Sequence, residues 1–349
     1  MSIMSRHHDS PTSSPSHLAS LARPDSVVRQ SSRDSAGFGA LISALPALLV
    51  LLLATPLRAQ DSTAQVPPPA AQNPSPMIEH TRRHERIEPR ELAGVKRTFT
   101  GPLDKPVEVF VPRGTKHADA LNLVVYFHGS PFVPEYAVSK LGHDHIVAVV
   151  SLAPGSGVYD RTFSDPAVYD SLLSQIGREA GAAMHTSNVA FRSVTLVGFS
   201  AGYGAVRAIL RDPRHFAQVD AVLLLDGLHT SYVPDGTVLA SGGKLDEQPL
   251  EVFMDFARAA MRGDKRFLIT HSEIFPGTFA STTETTDYLV QALGLELEPV
   301  LKWGPHGMQQ LSEARKGHFA ILGFAGNSAP DHIDHAQGMP TFLRMLMDS

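Results

Sequence analysis

Short apolar runs alternate with segments of helical periodicity from about residue 95 to the end of the chain. Several of the apolar runs are unbroken, which is typical of strands that are buried on both faces of a sheet. The runs predict eight strands, at residues 97–100, 107–111, 121–127, 146–152, 193–197, 221–225, 266–270 and 318–324. The periodic segments predict helices at residues 168–184, 203–211, 250–262, 283–293 and 340–347.

This alternation indicates the connections of an α/β fold, in which a mostly parallel sheet is flanked by helices. No helix separates the first two strands, so we expect them to form an antiparallel hairpin at one edge of the sheet. Residues 228–249 could form part of a pocket wall, as could residues 155–161 and 274–286. The first of these segments is too short for a large cap domain.

The beginning of the chain has a different character. Residues 1–36 are rich in Ser, Arg, His and Pro, and we expect them to be disordered because they show no apolar periodicity. Residues 37–59 contain an uncharged apolar run at 40–57 that follows a basic region, which is typical of a secretory signal. An uncleaved membrane anchor is the alternative, and residues 40–57 could then contact the membrane.

Residues 60–79 are rich in Pro, Ala and Gln and predict an extended linker. The folded catalytic domain is therefore expected at residues 80–349, in an exported protein. The net charge of −5 and the lack of a dense Lys/Arg stripe argue against nucleic-acid binding. The chain contains no cysteine, which excludes thiolate nucleophiles, disulfides and cysteine-based metal sites.

One pentapeptide, Gly198-Phe199-Ser200-Ala201-Gly202, lies between a predicted buried strand and a predicted helix. So short a turn forces its central residue into a strained conformation and requires small neighbours where the two backbones nearly touch. The serine then projects from the carboxyl end of the strand, at a helix start whose free N–H groups favour negative charge. Ser200 is the predicted nucleophile.

A second turn, His128-Gly129-Ser130-Pro131, follows the predicted strand 121–127. A backbone N–H of Gly129, Ser130 or the next residue could stabilise an oxyanion together with the N–H of Ala201. We interpret His128 as a positioning residue rather than as the catalytic base.

These motifs resemble those of the α/β-hydrolase superfamily from about residue 95 to the end of the chain. The resemblance rests on His128-Gly129, on the elbow around Ser200 and on a His-bearing loop before the last helix. It implies an eight-stranded α/β-hydrolase sheet, a Ser–acid–His triad in that chain order, and acyl transfer to water without a cofactor. It implies no particular substrate.

The resemblance places the base in the loop before the final helix, where His332 and His335 are the candidates, with His332 preferred for its spacing from Pro340. The sequence Asp-His-Ile-Asp-His at 331–335 also suggests a metal site. We disfavour metal because the chain has no H-E-x-x-H motif and because a triad already explains the loop.

The acid is expected after the sixth or the seventh strand. Asp226 directly follows the strand 221–225, about 26 residues after Ser200. Glu273 lies after the strand 266–270, where superfamily members often have an aspartate and where this chain has Phe275 at the matching position. Either carboxylate can orient an imidazole. We prefer Asp226 and retain Glu273 as the alternative.

The expected activity is hydrolysis of a small-molecule or lipid carboxylic ester, with peptidase or polyester depolymerase activity as variants. The alternative is a non-catalytic α/β-hydrolase-fold protein that binds a ligand or partner at the cell envelope. The expected hydrolysis requires no cofactor and no metal.

Overall fold

The structure is a computed structural model that describes residues 83–115 and 120–349. The predicted disordered region (1–36), signal or anchor (37–59) and linker (60–79) lie outside the described residues. Within the described part of the chain, no helix is both long enough and apolar enough to cross a lipid bilayer.

The described residues contain two sheets. The strands, in chain order, are β1 (Gly94–Phe99), β2 (Val107–Pro112), β3 (Ala120–Phe127), β4 (His145–Val150), β5 (Ala190–Phe199), β6 (Ala221–Leu225), β7 (Tyr232–Val233), β8 (Lys244–Leu245), β9 (Arg266–His271), β10 (Glu298–Trp303), β11 (Gln309–Lys316) and β12 (Phe319–Phe324). β7 and β8 pair with each other, and the other ten strands form one sheet in the order β1-β2-β4-β3-β5-β6-β9-β12-β11-β10.

The centre of the large sheet is parallel, from β4 through β3, β5, β6 and β9 to β12. β1 and β2 form the expected antiparallel hairpin at one edge, and β2 runs antiparallel to β4. Every residue of β6 is buried, as expected for an unbroken apolar strand covered on both faces. The chain therefore has the predicted α/β-hydrolase type of fold.

The sheet differs from the prediction in its strand count, which is ten rather than eight. The additional strands, β10 and β11, add an antiparallel hairpin beside β12 at the second edge of the sheet. β10 has the sequence EPVLKW and is almost entirely exposed, and β11 has the polar sequence QQLSEARK. Since neither strand contributes a long apolar run, neither gives the signal on which the strand prediction relies.

The helices are α1 (Phe132–Ser139), α2 (Ser156–Phe163), α3 (Pro166–Ala183), α4 (Tyr203–Leu210), α5 (Pro213–Gln218), α6 (Glu251–Met261), α7 (Thr282–Ala292), α8 (Ala329–Gln337) and α9 (Met339–Asp348). The five predicted helices correspond to α3, α4, α6, α7 and α9. The prediction missed α1, α2, α5 and α8, which have six to nine residues each. In such short segments a helical period repeats too few times to be recognised.

Two apolar cores lie on opposite faces of the sheet. Along β3, Leu123 and Val125 contribute to one core, and Val124 and Tyr126 contribute to the other. The first core also contains residues of α2, α3, α4 and α6, and the second contains residues of α1 and α9. Because both faces are covered, the carboxyl ends of the parallel strands are the part of the sheet left to form a site.

The connection between β6 and α6 contains the two-residue strands β7 and β8 and two short 3-10 turns, at Leu239–Ser241 and Gln248–Leu250. This agrees with the expectation that the chain has no large cap domain.

Candidate active site

Ser200 lies at the sharp turn that connects β5 to α4. β5 ends at Phe199, and Ser200 begins a 3-10 turn that runs to Gly202 before the helix starts. The φ angle of Ser200 is +48°, in the left-handed region, where a residue with a side chain is strained by about 1–2 kcal/mol. The serine is thus the strained central residue of the elbow.

Steric contacts explain why two positions of the elbow are glycine. A Cβ on Gly198 would lie 2.9 Å from the backbone nitrogen of Tyr203, and a Cβ on Gly202 would lie 2.2 Å from the carbonyl oxygen of Phe127. Both distances are below ordinary contact, and the atoms met are backbone atoms that cannot turn aside. A larger residue at position 198 would push β5 and α4 apart, and one at position 202 would push the elbow away from the end of β3.

Asp226 directly follows β6 and contacts His332. The Asp226 side chain is 2 % exposed, and its Oδ2 lies 2.7 Å from Nδ1 of His332, although the two residues are 106 positions apart in the chain. Asp226 also has a positive φ, of +43°. The strain at Asp226, like that at Ser200, is consistent with a backbone held for function rather than for stability.

Three further hydrogen bonds hold the Asp226 carboxylate. Its Oδ1 accepts from the backbone N–H of Ser272 and from Oγ1 of Thr282, each at 2.8 Å. Its Oδ2 accepts from Oγ of Ser272, also at 2.8 Å. Burial alone raises the pKa of the Asp226 carboxyl, and the imidazoles of His335 and His332 together with the Ser272 N–H lower it well below its usual range.

An ionised Asp226 fixes the protonation of its partner. A carboxylate can only accept hydrogen bonds, so Nδ1 of His332 must carry the hydrogen that it donates to Asp226. In the neutral ring, Nε2 of His332 then has a free lone pair. Such a ring can accept a proton from a nearby hydroxyl group, which is the property that a general base requires.

His332 lies on α8, not in a loop as the sequence suggested. Ser328 caps α8, and its side chain and that of Asp331 form a reciprocal capping box. The ring of His332 lies 4.7 Å from that of Phe199, measured between centroids, and the His332 side chain is 25 % exposed. The capped helix and the aromatic contact together fix the direction in which the imidazole points.

Ser200, Asp226 and His332 line one cavity of about 370 Å³. Among the described residues no hydrogen bond joins Oγ of Ser200 to His332. Catalytic hydrogen bonds tighten when substrate binds, so a longer distance in the free protein is compatible with proton transfer.

His335 lies one turn further along α8 and has different surroundings. It is 1 % exposed, its Nδ1 lies 2.8 Å from Oγ1 of Thr270, and its ring packs edge-on against Phe324. Burial lowers the pKa of His335 to about 4. The ring is therefore a neutral side chain of the interior, and it does not line the cavity at Ser200.

Glu273 is exposed and does not contact His332. Its Oε2 accepts a hydrogen bond from the backbone N–H of Gly326 at 3.2 Å, and its own N–H donates to the Gly326 carbonyl at 2.9 Å. The structure thus brings Asp226 to His332 and uses Glu273 to join two loops.

The turn after β3 offers fewer free donors than the sequence suggested. The N–H of Gly129 donates to Oγ of Ser151 at 3.1 Å, and Pro131 has no N–H to offer. The N–H of Ser130 makes no hydrogen bond among the described residues. Of these two N–H groups, that of Ser130 is therefore the one left free to donate.

His128 is the first residue of this turn and has a positive φ, of +73°. Its Nδ1 is 3.1 Å from the hydroxyl of Tyr159, and its ring stacks over Phe199 with 6.2 Å between centroids. Burial, and the proximity of His332, lower the pKa of His128.

Sequence reasoning missed three residues that contribute to the site. Ser272 and Thr282 bind Asp226, and His229 lines the cavity at Ser200. Thr282 belongs to a Ser/Thr-rich segment that also forms the cap of α7, where Ser281 and Glu284 make a capping box. Helix capping alone accounts for the Ser and Thr residues of this segment. The contact between Thr282 and Asp226 could not be predicted, because Asp226 follows a strand that is distant in the chain.

The acidic and histidine residues of the 331–335 motif have separate partners. Asp331 caps α8, whereas Asp334 is buried and binds Nδ1 of His84 and the guanidinium of Arg86. Ligand atoms of His84, Asp331 and Asp334 lie within 4.8 Å of one another. Because Arg86 already supplies a positive charge to Asp334, this cluster is explained by an ion pair that joins the residues before β1 to α8.

A mostly parallel α/β sheet with a strained serine at the end of a central strand, and an Asp–His pair on a neighbouring strand end, is an arrangement that serine hydrolases of the α/β-hydrolase fold also have. No protein-family model and no curated protein sequence matches this chain.

Solved structures do match, at low identity. A feruloyl esterase module of Clostridium thermocellum, described as an S954A mutant complexed with sinapinate, is 15 % identical, with 74 % of this chain and 91 % of that chain covered and a TM-score of 0.42. A thermostable esterase is 16 % identical, with 73 % and 62 % covered and a TM-score of 0.41. S-formylglutathione hydrolase (FrmB) of Staphylococcus aureus is 11 % identical, with 74 % and 99 % covered and a TM-score of 0.39.

Proposed function

We propose that this protein is a serine hydrolase that cleaves carboxylic esters through an acyl-enzyme on Ser200. The observation that carries the proposal is the 2.7 Å contact between the buried Asp226 carboxylate and Nδ1 of His332, in a cavity that Ser200 also lines. Paired in this way, the imidazole presents an unprotonated Nε2 to the cavity.

In the first half of the reaction, Oγ of Ser200 attacks the ester carbonyl while Nε2 of His332 takes the hydroxyl proton. Asp226 stabilises the imidazolium that forms. When the tetrahedral intermediate collapses, the imidazolium gives its proton to the leaving alcohol, and the acyl group remains on Ser200.

In the second half, water replaces the alcohol. His332 takes a proton from the water as its oxygen attacks the acyl-enzyme. When the second tetrahedral intermediate collapses, the imidazolium returns this proton to Oγ of Ser200, and the acid product leaves. The N–H groups of Ala201 and Ser130 are the proposed donors to the oxyanion in both halves, with Gly129 as the third candidate. Such preorganised donors are a major source of rate acceleration in acyl transfer.

An active-site-directed fluorophosphonate tests the assignment of the nucleophile. We expect the probe to label the purified protein and Ser200→Ala to abolish the labelling. Ser200 is the strained serine that lines the cavity with His332, whereas the hydroxyls of Ser272 and Ser328 already donate to Asp226 and Asp331. Ser164→Ala is the matched control, since Ser164 is exposed on a loop between α2 and α3.

Equal labelling of Ser200→Ala and wild type would show that Ser200 is not the nucleophile. If neither protein is labelled and neither cleaves any ester in a panel of graded p-nitrophenyl esters, a non-catalytic binding function replaces the proposal.

A further inference from the structure

Two cavities of different character meet at Ser200. The apolar cavity, of about 370 Å³, has a wall formed by Ile274, Pro276, Phe279 and Ala329. The second cavity, of about 530 Å³, has a mixed wall in which Arg207, Thr230 and Ser231 lie beside Tyr203 and Pro249. Because it is the more polar of the two, it is called the polar cavity. An ester bound at Ser200 has two halves, and each half requires a space of its own.

The positions of the catalytic groups indicate which half enters which cavity. His332 lines the apolar cavity and Ala201 lines the polar one. The leaving oxygen must lie near His332 to receive its proton, which favours the apolar cavity for the alcohol half. The polar cavity then remains for the acyl half.

His229 lies at the junction, since it lines both cavities together with Ser200 and Phe279. The turn that precedes it packs against the elbow, because a Cβ on Gly227 would lie 2.5 Å from the carbonyl oxygen of Ser200. His229 is thus held beside the reacting serine, and the mechanism proposed above assigns it no role.

The hydrogen bonding of His229 fixes what its ring can offer. Nδ1 lies 2.9 Å from the carbonyl oxygen of Ala280, and a carbonyl only accepts, so Nδ1 carries the hydrogen. The free nitrogen, Nε2, is then a hydrogen-bond acceptor in the neutral ring. Burial lowers the pKa of His229, which favours this neutral form.

Aromatic neighbours hold the ring of His229 in place. Tyr203 and Phe279 contact it edge to face, with 5.7 Å and 5.0 Å between ring centroids. A fixed acceptor beside the reacting serine favours a substrate group that can donate to it over one that cannot.

We propose that the polar cavity binds the acyl half of the substrate and that this half carries a hydroxyl group whose O–H donates to Nε2 of His229. This inference rests on the proposed ester hydrolysis and names the substrate class as esters of hydroxylated carboxylic acids.

Matched methyl esters test the inference with the full-length protein. One series is methyl butanoate, methyl 3-hydroxybutanoate and methyl 3-methoxybutanoate, and a longer one is methyl 3-phenylpropanoate with its 4-hydroxy and 4-methoxy derivatives. We expect kcat/KM to favour the hydroxy ester over the methoxy ester about fivefold to tenfold in at least one series, the value of one hydrogen bond.

Two variants of His229 separate its acceptor from its structural contact. His229→Asn keeps an N–H that can reach the Ala280 carbonyl but has no acceptor at the position of Nε2, so the hydroxy-to-methoxy ratio should fall to about one. His229→Gln reaches the position of Nε2 with its amide oxygen and should retain part of the preference. Ser164→Ala, outside both cavities, should keep the wild-type ratio.

Two results would overturn the inference: equal kcat/KM for hydroxy and methoxy esters in both series, or an undiminished ratio in His229→Asn. In both cases esters are still cleaved and Ser200 is still labelled, so the proposed function stands. Loss of all cleavage and labelling contradicts the proposed function itself.

Discussion

The ends of two neighbouring strands, β6 and β9, each present a carboxylate at the same edge of the sheet, yet the two groups have different surroundings. Asp226 after β6 is buried, accepts three hydrogen bonds from Ser272 and Thr282, and contacts His332. Glu273 after β9 is exposed and accepts from the backbone of Gly326.

The comparison teaches that the role of a carboxylate depends on its neighbours more than on its place in the strand order. At the end of β6, donors converge on a carboxylate that solvent cannot reach, and they keep it ionised. At the end of β9, solvent competes for the side chain. Only the first arrangement can hold an imidazole in one tautomer and orientation.

Neutralising each carboxylate in turn gives the largest expected effect. In Asp226→Asn the donors from Ser272 and Thr282 hold the amide oxygen, so the amide nitrogen faces His332 and reverses its tautomer. We expect kcat for ester cleavage to fall about 10³- to 10⁴-fold. In Glu273→Gln the acceptor for the Gly326 N–H is kept, and kcat should change less than about threefold.

Steady-state rates with a p-nitrophenyl ester measure both variants, and circular dichroism checks that each has folded. If kcat fell strongly in Glu273→Gln and little in Asp226→Asn, Glu273 rather than Asp226 would be the acid that supports catalysis.

The pH dependence of the free energy of unfolding tests the effect of burial on His335. The folded protein holds the pKa of His335 at about 4, against 6.5 for the free side chain. As pH falls from 6.5 to about 4, the unfolded chain gains a proton at this residue that the folded protein does not, so the free energy of unfolding decreases. The loss is complete below pH 4 and amounts to about 3 kcal/mol.

Urea unfolding at pH 7, 6 and 5 measures the effect. Other buried histidines also make the free energy of unfolding depend on pH. The wild type is therefore compared with His335→Asn, which keeps an amide near Oγ1 of Thr270. We expect the free energy of unfolding to depend less steeply on pH in the variant. Equal dependences in the two proteins would mean that folding does not lower the pKa of His335.

The smallest effect concerns the support of Asp226. Thr282→Val keeps the shape of the side chain and removes one donor to Oδ1, so we expect kcat/KM to fall about tenfold. Thr283→Val is a matched control on the same helical turn, because Thr283 donates to the Ser272 carbonyl and does not contact Asp226. A similar loss in both variants would indicate a general effect on α7 rather than on the carboxylate.

Local features of the site could be read from the sequence. The elbow around Ser200 was predicted from five adjacent residues, although only one of its two glycine contacts is local. A Cβ on Gly198 would meet Tyr203 of the same turn, whereas one on Gly202 would meet Phe127 at the end of β3. The capping of α7 is local, because Ser281 and Glu284 lie three positions apart. The edge strands β10 and β11 were missed because exposed polar strands leave little periodic apolar signal.

The choice between His332 and His335 could not be made from the neighbouring residues in the sequence alone. The two residues lie on one helix three positions apart, and the sequence favours His332 only by its spacing from Pro340. The packing of α8 against β9 and β12 turns His335 towards Thr270 and Phe324, whereas it leaves His332 at the cavity. Which face is buried depends on residues far away in the chain.

The sequence by itself determined the α/β alternation, the elbow with its serine and the short list of possible partners, because these follow from apolar patterns and from contacts within a few residues. Only the tertiary structure placed Asp226 against His332, occupied the N–H of Gly129 with Ser151 and set His229 between two cavities. Those contacts join different strand ends, and burial and hydrogen bonding at each end select among residues that look equivalent along the chain.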